Sequence, residues 1–236
     1  MQLISGLIRQ ASEQYNMIEN GDKIAVAVSG GKDSLVLIAG LSKLREYWGV
    51  SFSIVAIIMD VCPFGKETDF SLIESFCEKK NIPCKIKRTE LYNIIFEERK
   101  EKNPCSLCAR MRRGILHDMA IENGCNKIAL GHHKDDAIET FFLSLFREGR
   151  IGCFSPVSYL SRKDLYLIRP LVLASEKEII SACERNKLPV IKSLCPADKN
   201  SDRAEMKSWI AQMEKDDPSF KKKIFGAIER ANLDGF

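Results

Sequence analysis

The chain has 236 residues, of which 45% are hydrophobic, and its formal net charge is +4. This length suits one α/β domain with an appendage or two small domains, and the mildly basic balance allows RNA binding without requiring it. Because no apolar stretch approaches about eighteen residues and Met1–Ser5 lacks a charged leader, we expect neither a membrane span nor a signal peptide.

Hydrophobic periodicity predicts alternating helices and strands. The predicted helices cover 3–18, 33–47, 68–80, 105–123, 134–148 and 175–186, and the predicted strands cover 23–28, 52–59, 84–87, 127–130 and 167–173. Residues 151–166 are expected to form a loop, and the region from about 196 to 236 a polar, helical tail. The alternation predicts an α/β fold with a doubly wound, mainly parallel sheet.

The motif at residues 29–34, Ser-Gly-Gly-Lys-Asp-Ser, follows the predicted strand at 23–28 directly. Its glycines allow a sharp turn, and the next helix points its N-terminal amides and positive dipole end at that turn. Two hydroxyls and a lysine complete a site that suits pyrophosphate. The motif differs from the Walker loop, because Val26 replaces a required glycine and Asp33 follows the lysine.

Three further positions are expected at the same edge of the sheet. Ser29, Asp60 and Gly131 all follow the carboxyl ends of predicted strands, where ligands bind in doubly wound sheets. We therefore expect them to border one crevice, with Met59 and Asp60 beside adenine or ribose and Gly131 permitting close backbone approach.

Cys105 and Cys108 are three residues apart at the start of a predicted helix, so they project from nearly the same side. The chain has nine scattered cysteines, and we expect a reducing, cytoplasmic setting in which such a pair more often serves metal binding or catalysis than a disulfide. A zinc site, a redox dithiol and an iron–sulfur cluster completed by a distant cysteine all remain open. Cys62 and Cys195 are both candidates for the third ligand.

Four motifs occur in a fixed order along the chain. They are Ser29-Gly-Gly-Lys-Asp-Ser34, Cys105-Ser-Leu-Cys-Ala-Arg-Met-Arg-Arg-Gly114, Gly131-His-His-Lys-Asp-Asp-Ala-Ile-Glu-Thr140 and Arg169-Pro-Leu171. Together they resemble the tRNA 2-thiocytidine synthetase (TtcA) family of the PP-loop ATP pyrophosphatase superfamily. The resemblance runs from about residue 20 to the tail and implies a domain of the adenine nucleotide α-hydrolase type at 21–192. Helical spacing adds an N-terminal helix at 1–20, and a helical tail is expected at 193–236.

The resemblance also implies a chemistry. ATP with Mg²⁺ adenylates the C2 oxygen of tRNA cytidine 32, and a sulfur nucleophile then displaces AMP with the help of an oxygen-sensitive [4Fe–4S] cluster. In the family the third cluster ligand lies near the start of the C-terminal tail, where Cys195 matches, although Leu194-Cys195-Pro196 departs from the usual Leu-Cys-Gly or C-x-x-C-like sequence. The partners implied are tRNA and a sulfur donor, either a cysteine desulfurase or sulfide, and a homodimer is one arrangement left open.

The expected site residues fall into three sets. The catalytic set is Lys32, Asp33 and Asp136, of which the two aspartates are also the magnesium candidates. The cluster ligands are Cys105, Cys108 and Cys195. The nucleotide-binding set comprises Ser29, Gly30, Gly31, Lys32, Asp33, Ser34, Met59, Asp60 and Gly131.

Other residues carry weaker expectations. Asp135 and Asp136 suit helix N-terminal charges as well as metal ligands, and His132, His133 and Arg169 suit contacts to phosphate or base. The candidates for an RNA surface are Arg110, Arg112, Arg113 and 221–223.

Several alternative functions remain open. They are thiolation of another base or of a non-tRNA substrate, a cluster-free ligase such as a tRNA lysidine synthetase, a nucleotide-binding module without turnover, and a sulfurtransferase whose Cys105 or Cys108 carries a persulfide.

Overall fold

The computed structural model describes residues 1–99, 104–191 and 202–236. The α-helices are α1 Gln2–Gln14, α2 Lys32–Leu44, α3 Ser71–Glu78, α4 Pro104–Glu122, α5 Lys134–Arg147, α6 Glu176–Arg185, α7 Asp202–Asp216 and α8 Phe220–Arg230. The strands are β1 Lys23–Val28, β2 Ser53–Asp60, β3 Cys84–Arg88, β4 Lys127–Ala129, β5 Val157–Leu160 and β6 Leu165–Ile168. Short helical segments within the described ranges are Pro63–Gly65, Asn93–Glu98 and Leu233–Gly235.

The six strands form one sheet in the order β3-β2-β1-β4-β6-β5. All neighbours are parallel except β5, which pairs antiparallel with β6. The prediction of a mainly parallel α/β sheet is therefore confirmed. From β1 the chain goes to β2 and β3 on one side, and β4 begins the other side, so the topological switch point lies between β1 and β4. The residues after these two strands border the crevice where ligands bind in such folds.

The sheet is covered on both faces, as its apolar strands require. Ile24, Val26 and Val28 of β1 belong to the larger buried cluster, whereas Ala25 belongs to the second cluster, which α4 covers with Met119 and Ala120. On the larger side, α1 packs closely on α2. A Cβ added at Gly40 would lie only 2.5 Å from Cδ1 of Ile8, so the glycine permits this contact.

Residues 151–166 depart from the sequence prediction. They contain β5 and the start of β6, which form an antiparallel hairpin at the sheet edge where a loop was expected. The strand predicted for 167–173 ends at Ile168, and turns follow, because Pro170 has no backbone N–H to donate to a ladder. Tyr159 and Tyr166 face each other across the hairpin, with ring centroids 4.8 Å apart.

The C-terminal helices pack on the body of the domain. The ring of Phe142 in α5 lies 5.0 Å from Trp209 of α7 and 5.8 Å from Phe220 of α8, measured between centroids. The helical character predicted for this region is thus confirmed from residue 202 onward. None of the helices within the described ranges is both long and apolar enough to cross a bilayer.

Candidate active site

The phosphate loop, residues 29–34, joins β1 to α2 and is organised by its own hydroxyls. Ser34 Oγ donates to the Gly31 carbonyl at 3.0 Å, and the Gly31 N–H donates to Ser29 Oγ at 3.3 Å. Gly30 has φ +84°, a left-handed conformation that glycine adopts without strain. Gly31 is the N-cap residue of α2 and brings no side-chain cap, so the first-turn amides of α2 are available for an anion.

The structure brings Gly131 against this loop, although the two are a hundred residues apart in the sequence. A Cβ added at Gly131 would lie 3.2 Å from the Ser34 nitrogen and 3.2 Å from the Asp33 carbonyl carbon. The residue after β4 therefore touches the first turn of α2. Gly131 and the phosphate loop therefore lie side by side at the switch point between β1 and β4, where the crevice was expected.

Lys32 is held by two carboxylates. Its Nζ lies 3.0 Å from Asp33 Oδ1 and 3.2 Å from Glu176 Oε1. Burial alone would lower the pKa of Lys32, but these two ion pairs outweigh it and raise that pKa. Glu176 also pairs with Lys207 of α7 at 2.6 Å. Sequence reasoning missed Glu176, because nothing in its local pattern distinguishes it from any acidic residue at the start of a helix.

His133 and Asp136 cap the start of α5. The His133 N–H donates to Asp136 Oδ2 at 2.9 Å, and the Asp136 N–H donates to His133 Nδ1 at 3.4 Å. The imidazole Nε2 lies 3.8 Å from Asp33 Oδ1 and 3.5 Å from Asp136 Oδ2, so both predicted catalytic aspartates face one histidine. One oxygen of Asp136 thus serves the helix cap, while Oδ1 lies 3.9 Å from Arg203.

The carboxylate of Asp135 bonds to groups of two other helices. Its Oδ1 lies 2.9 Å from Lys221 of α8, and its Oδ2 accepts the Glu176 backbone N–H at 2.7 Å. Burial alone would raise the pKa of Asp135, but its bonds to Lys221 and to that N–H lower it below the usual range. Asp135 therefore joins α5, α6 and α8 rather than facing the phosphate loop.

Glu139, one turn further along α5, is buried beside Asp136. Its nearest described cation is Arg203, with Nε 3.7 Å from Oε2. Burial, followed by the charge of Asp136, raises the pKa of Glu139 to about 7. Glu139 belongs to the Gly131–Thr140 motif, but sequence reasoning assigned it no role, because its burial depends on how α7 packs over α5.

The described side chains hold no group of three His, Cys, Asp or Glu that could bind a metal ion by themselves. Mg²⁺ usually keeps several waters and substrate phosphates among its ligands and needs only one or two carboxylates. Asp33 and Asp136 therefore fit a magnesium ion that binds together with a nucleotide. Without the nucleotide they do not supply a complete set of ligands.

A cleft of ≈ 490 Å³ opens at the carboxyl ends of the strands, beneath α4. Ser29 lines one part of it, and Arg112 and Arg113 of α4 line another. None of the lining residues within the described chain is an aspartate or glutamate. They are Ala27, Val28, Ser29, Ile57, Met59, Ala109, Arg112, Arg113, Leu116, His117, Leu130, His132, Leu160, Leu167 and Arg169.

Of the two residues expected beside the nucleotide, Met59 lines this cleft and Asp60 does not. Asp60 is buried, and its carboxylate accepts the N–H of Cys62 at 3.0 Å and that of Thr68 at 2.7 Å. The side chain therefore folds the loop after β2, and only its position at the strand end agrees with the expectation.

Arg169 is buried at the edge of the cleft. Its Nε donates to His132 Nδ1 at 3.2 Å, it donates a second bond to the Ser155 carbonyl, and its guanidinium lies 4.9 Å from the ring centroid of Phe154. Burial lowers the pKa of Arg169 to about 10, so the group keeps its charge at neutral pH. Within the described residues it forms no ion pair with a carboxylate, and a buried charge of this kind favours an anionic ligand.

His132 presents a neutral imidazole to the same cleft. Burial, reinforced by the charge of Arg169, lowers the pKa of His132 to about 4. Because Nδ1 accepts the bond from Arg169, Nε2 carries the ring hydrogen and is a donor. The ring also stacks on Phe154, with centroids 5.2 Å apart.

Cys105 and Cys108 both lie in the first turn of α4, one exposed and one half-buried, and neither forms a disulfide. Ala109 and Arg112, four residues after Cys105 and Cys108, line the cleft, so the two cysteines lie on the same side of α4 one turn before the cleft wall. Within the described parts of the chain, Cys62 and this pair do not form a group of three side chains that could hold a single metal ion. The other candidate, Cys195, lies outside the described residues.

The basic residues proposed for RNA differ in availability. Arg110, Arg112 and Arg113 are exposed on α4. In the 221–223 lysine triplet, Lys221 pairs with Asp135 and Glu214, and Lys223 pairs with Asp217 at 2.6 Å. Two of these three lysines therefore stabilise α8, which weakens the expectation that the triplet forms an RNA surface.

One backbone contact links the loop to the distal part of the chain. The Ile191 N–H donates to the Gly30 carbonyl at 2.9 Å. A Cβ added at Gly30 would lie 3.4 Å from the Ile191 Cβ, so the two backbones are in close contact. Residue 191, the last one described before the C-terminal helices, therefore lies against the phosphate loop.

Comparisons with known proteins agree with this architecture. Residues 5–213 match the family model ATP_bind_3, described as a PP-loop domain. A tRNA-cytidine(32) 2-sulfurtransferase of Geobacter sulfurreducens is 36% identical over 228 residues, which are 95% of this chain and 88% of the relative. The tRNA-cytidine(32) 2-sulfurtransferase 1 of Francisella tularensis subsp. novicida is 40% identical over 223 residues, 93% of this chain and 82% of the relative.

A solved structure is also similar. It is the U34-tRNA thiolase NcsA from Methanococcus maripaludis with its [4Fe-4S] cluster, with a TM-score of 0.78 and 28% sequence identity. The match covers 97% of this chain and 78% of the other. The similarity therefore extends over the sheet, α4 and the C-terminal helices together.

Proposed function

The chain belongs to the PP-loop family, and from this membership we infer that it is an ATP-dependent tRNA sulfurtransferase that replaces the C2 oxygen of cytidine 32 with sulfur. The observation that carries the inference is the cleft that runs from Ser29 of the phosphate loop to Ala109 and Arg112 of α4. Its walls offer the cationic side chains of Arg112, Arg113 and Arg169, and the first turn of the same helix carries two thiols. The relatives at 36% and 40% identity carry the name of this activity.

The phosphate loop is proposed to hold the β- and γ-phosphates of ATP. The first-turn amides of α2, the hydroxyls of Ser29 and Ser34 and the charge of Lys32 surround this position. During adenylation a bond forms between the base C2 oxygen and the α-phosphorus, and the bond from that phosphorus to the bridging oxygen of pyrophosphate breaks. The amides and Lys32 stabilise the negative charge that pyrophosphate carries away.

Arg169 and His132 are proposed to bind the α-phosphoryl group by donating hydrogen bonds to it. Both line the cleft that Ser29 enters, and Arg169 brings a buried positive charge without a described carboxylate partner. Donors fixed in position before the reaction stabilise a transition state better than mobile ones, because they need no reorganisation. The stack on Phe154 and the bond between the two side chains fix both donors.

Cys105 and Cys108 fit two ligands of an iron–sulfur cluster, with Cys195 proposed as the third. The positive end of the α4 dipole stabilises thiolate ligands in its first turn. In the sequence, Cys195 follows four residues after Ile191, whose N–H donates to the phosphate loop. These three thiolates would hold the cluster, which would supply the sulfur that replaces the oxygen.

We also propose the setting of the reaction. tRNA is the acceptor, and either sulfide or a cysteine desulfurase supplies the sulfur. The protein is proposed to act in the cytoplasm, a reducing setting that suits the eight cysteines found free among the described residues. A homodimer remains part of the proposal.

Anaerobic purification and reconstitution test the function. We expect a coloured protein with about four irons and four sulfides per chain. With ATP, Mg²⁺ and sulfide it should form 2-thiocytidine at position 32 of unmodified tRNA, and nucleoside mass spectrometry detects this product. Pyrophosphate should be released in the same reaction. A colourless zinc protein, thiolation confined to uridine 34, or lysine incorporation without any thiolation would each contradict the inference.

A further inference from the structure

His117 lies on α4, in the wall of the cleft, and its role is not explained by packing. The residue is 9% exposed, and its Nε2 is buried without a hydrogen-bond partner among the described residues. Buried polar atoms in native proteins nearly always have a partner, because leaving one unpaired opposes folding. A leucine or phenylalanine would fill the position without this cost.

The imidazole is neutral in this environment. Burial, followed by the positive charge of Arg113, lowers the pKa of His117. The other charged groups near it are Asp118 and Lys163, which pair with each other at 2.8 Å. A neutral imidazole offers one donor and one acceptor, which suits the edge of a ligand that presents both kinds of group.

The rest of the cleft restricts the class of ligand. Its volume of ≈ 490 Å³ lies within the usual range for small-molecule sites, about 300–1,000 Å³. Ile57, Met59, Leu130 and Leu167 supply apolar walls suited to the faces of a flat ring. A ring with apolar faces and a polar edge, attached to a phosphate that can reach Ser29, describes a nucleotide.

We propose that His117 Nε2 hydrogen-bonds the polar edge of a nucleobase bound in this cleft, and thereby helps to select the base. The proposal deepens the function inferred above and rests on it. The nucleobase has two sources in that reaction, the adenine of ATP and the acceptor base of tRNA. The chemistry recognised is the same in both cases, and binding measurements separate them.

The test compares His117→Phe, which keeps a ring but removes both nitrogens, with wild type, His117→Gln and Asp118→Asn. Loss of one neutral hydrogen bond should weaken binding about three- to tenfold, and glutamine should restore part of the loss. Asp118 is exposed on the same helix and does not line the cleft, so its variant should bind like wild type. Circular dichroism and melting curves check that each variant folds.

Two binding arms identify the source of the base. If adenine is recognised, calorimetry will show weaker binding of ATP and AMP to His117→Phe, with unchanged binding of inorganic pyrophosphate. If the acceptor base is recognised, ATP affinity will stay constant while the KM for tRNA rises. The proposal is overturned if ATP, AMP and tRNA measurements all remain within about twofold of wild type.

A spectroscopic arm needs no variant. In wild-type protein with ¹⁵N-labelled histidine, the Nε2 resonance of His117 should shift when ATP or tRNA is added, and an unchanged resonance with both would contradict the proposal. Should wild type bind ATP but thiolate no tRNA, the inferred function fails while the ATP arm still decides the role of His117.

Discussion

At the scale of single residues, the site separates into a basic half and an acidic half. The cleft carries the guanidinium groups of Arg112, Arg113 and Arg169. The carboxylates gather behind the phosphate loop, where Asp33 and Glu176 share Lys32. This separation leaves the cleft ready for a polyanion, while the loop lysine is kept charged and in place by its carboxylates.

Arg169 provides the first prediction. Arg169→Gln should lower the single-turnover rate of adenylation by about 10²–10³, the usual effect of removing a donor to a developing charge. Arg169→Lys should recover only part of the rate, because lysine keeps the charge without the planar fork. Rapid-quench measurement of pyrophosphate release gives these rates. Arg162→Gln, at an exposed position of the hairpin, is the control, and an equal loss there would contradict the role.

Glu139 provides a prediction about pH. Its pKa rises from 4.5 to about 7 on folding, so between these values the folded state binds more protons than the unfolded state. The contribution of Glu139 to stability is therefore present at low pH and is lost as pH rises through about 7. Glu139→Gln should melt like wild type near pH 5 and a few degrees higher near pH 8.

Melting curves at both pH values measure this difference. Glu148→Gln, at an exposed end of the same helix, should shift the melting temperature equally at the two pH values. A Glu139→Gln effect that did not grow between pH 5 and pH 8 would show that the buried carboxyl does not titrate in this range.

At the scale of elements, α4 connects the parts of the site. Its first turn carries Cys105 and Cys108, and its middle supplies Arg112, Arg113 and His117 to the cleft wall. Its far end packs Met119 and Ala120 on the sheet. The packing of the last turns therefore fixes where the first turn presents its thiols.

The cysteines provide an element-scale prediction. After anaerobic reconstitution, Cys105→Ala, Cys108→Ala and Cys195→Ala should each lose most of the bound iron and the visible absorption, because two thiolates do not hold a cluster stably. If Cys195 is the third ligand as proposed, Cys62→Ala should keep both, in line with the absence, among the described residues, of a metal-ion group that contains Cys62 and the pair. Iron retained by Cys195→Ala but lost by Cys62→Ala would reverse the assignment of the third ligand.

Elements differed in how well the sequence predicted them. The apolar run of β1 followed by two glycines predicted the strand, the loop and α2, because the local pattern and the tertiary role agree. The β5–β6 hairpin was missed, because Val157–Leu160 is only partly buried and shows no clear alternation. The contacts of Glu176 and Lys221 were also inaccessible, since they depend on helices far apart in sequence meeting behind the loop.

At the scale of the whole molecule, charge distribution matters more than net charge. The formal value of +4 is small, but Arg110, Arg112 and Arg113 stand exposed together on one helix. Lys221 and Lys223 are neutralised by neighbouring carboxylates. The α4 surface next to the cleft is therefore the better candidate for contact with the tRNA backbone.

Salt dependence tests this surface. Binding of tRNA should weaken as salt rises, with a linear fall of log K against log salt concentration, because phosphate contacts release counterions. Arg110→Gln should reduce the slope by about one if the side chain contacts one phosphate. Lys223→Gln should leave the slope unchanged. Filter binding at several salt concentrations gives the slopes, and equal slopes for wild type and Arg110→Gln would argue against this face.

The hydrogen bond from Ile191 to the Gly30 carbonyl would make two chemistries interdependent if Cys195, four residues further along the sequence, is a cluster ligand as proposed. Triphosphate bound at residues 29–34 would then fix the Ile191 peptide, and a metal centre held downstream would constrain the same peptide. Such thermodynamic linkage is reciprocal, so each occupant strengthens the other by an equal factor. We therefore expect oxygen to destroy the iron–sulfur cluster more slowly in enzyme with bound ATP than in enzyme without nucleotide.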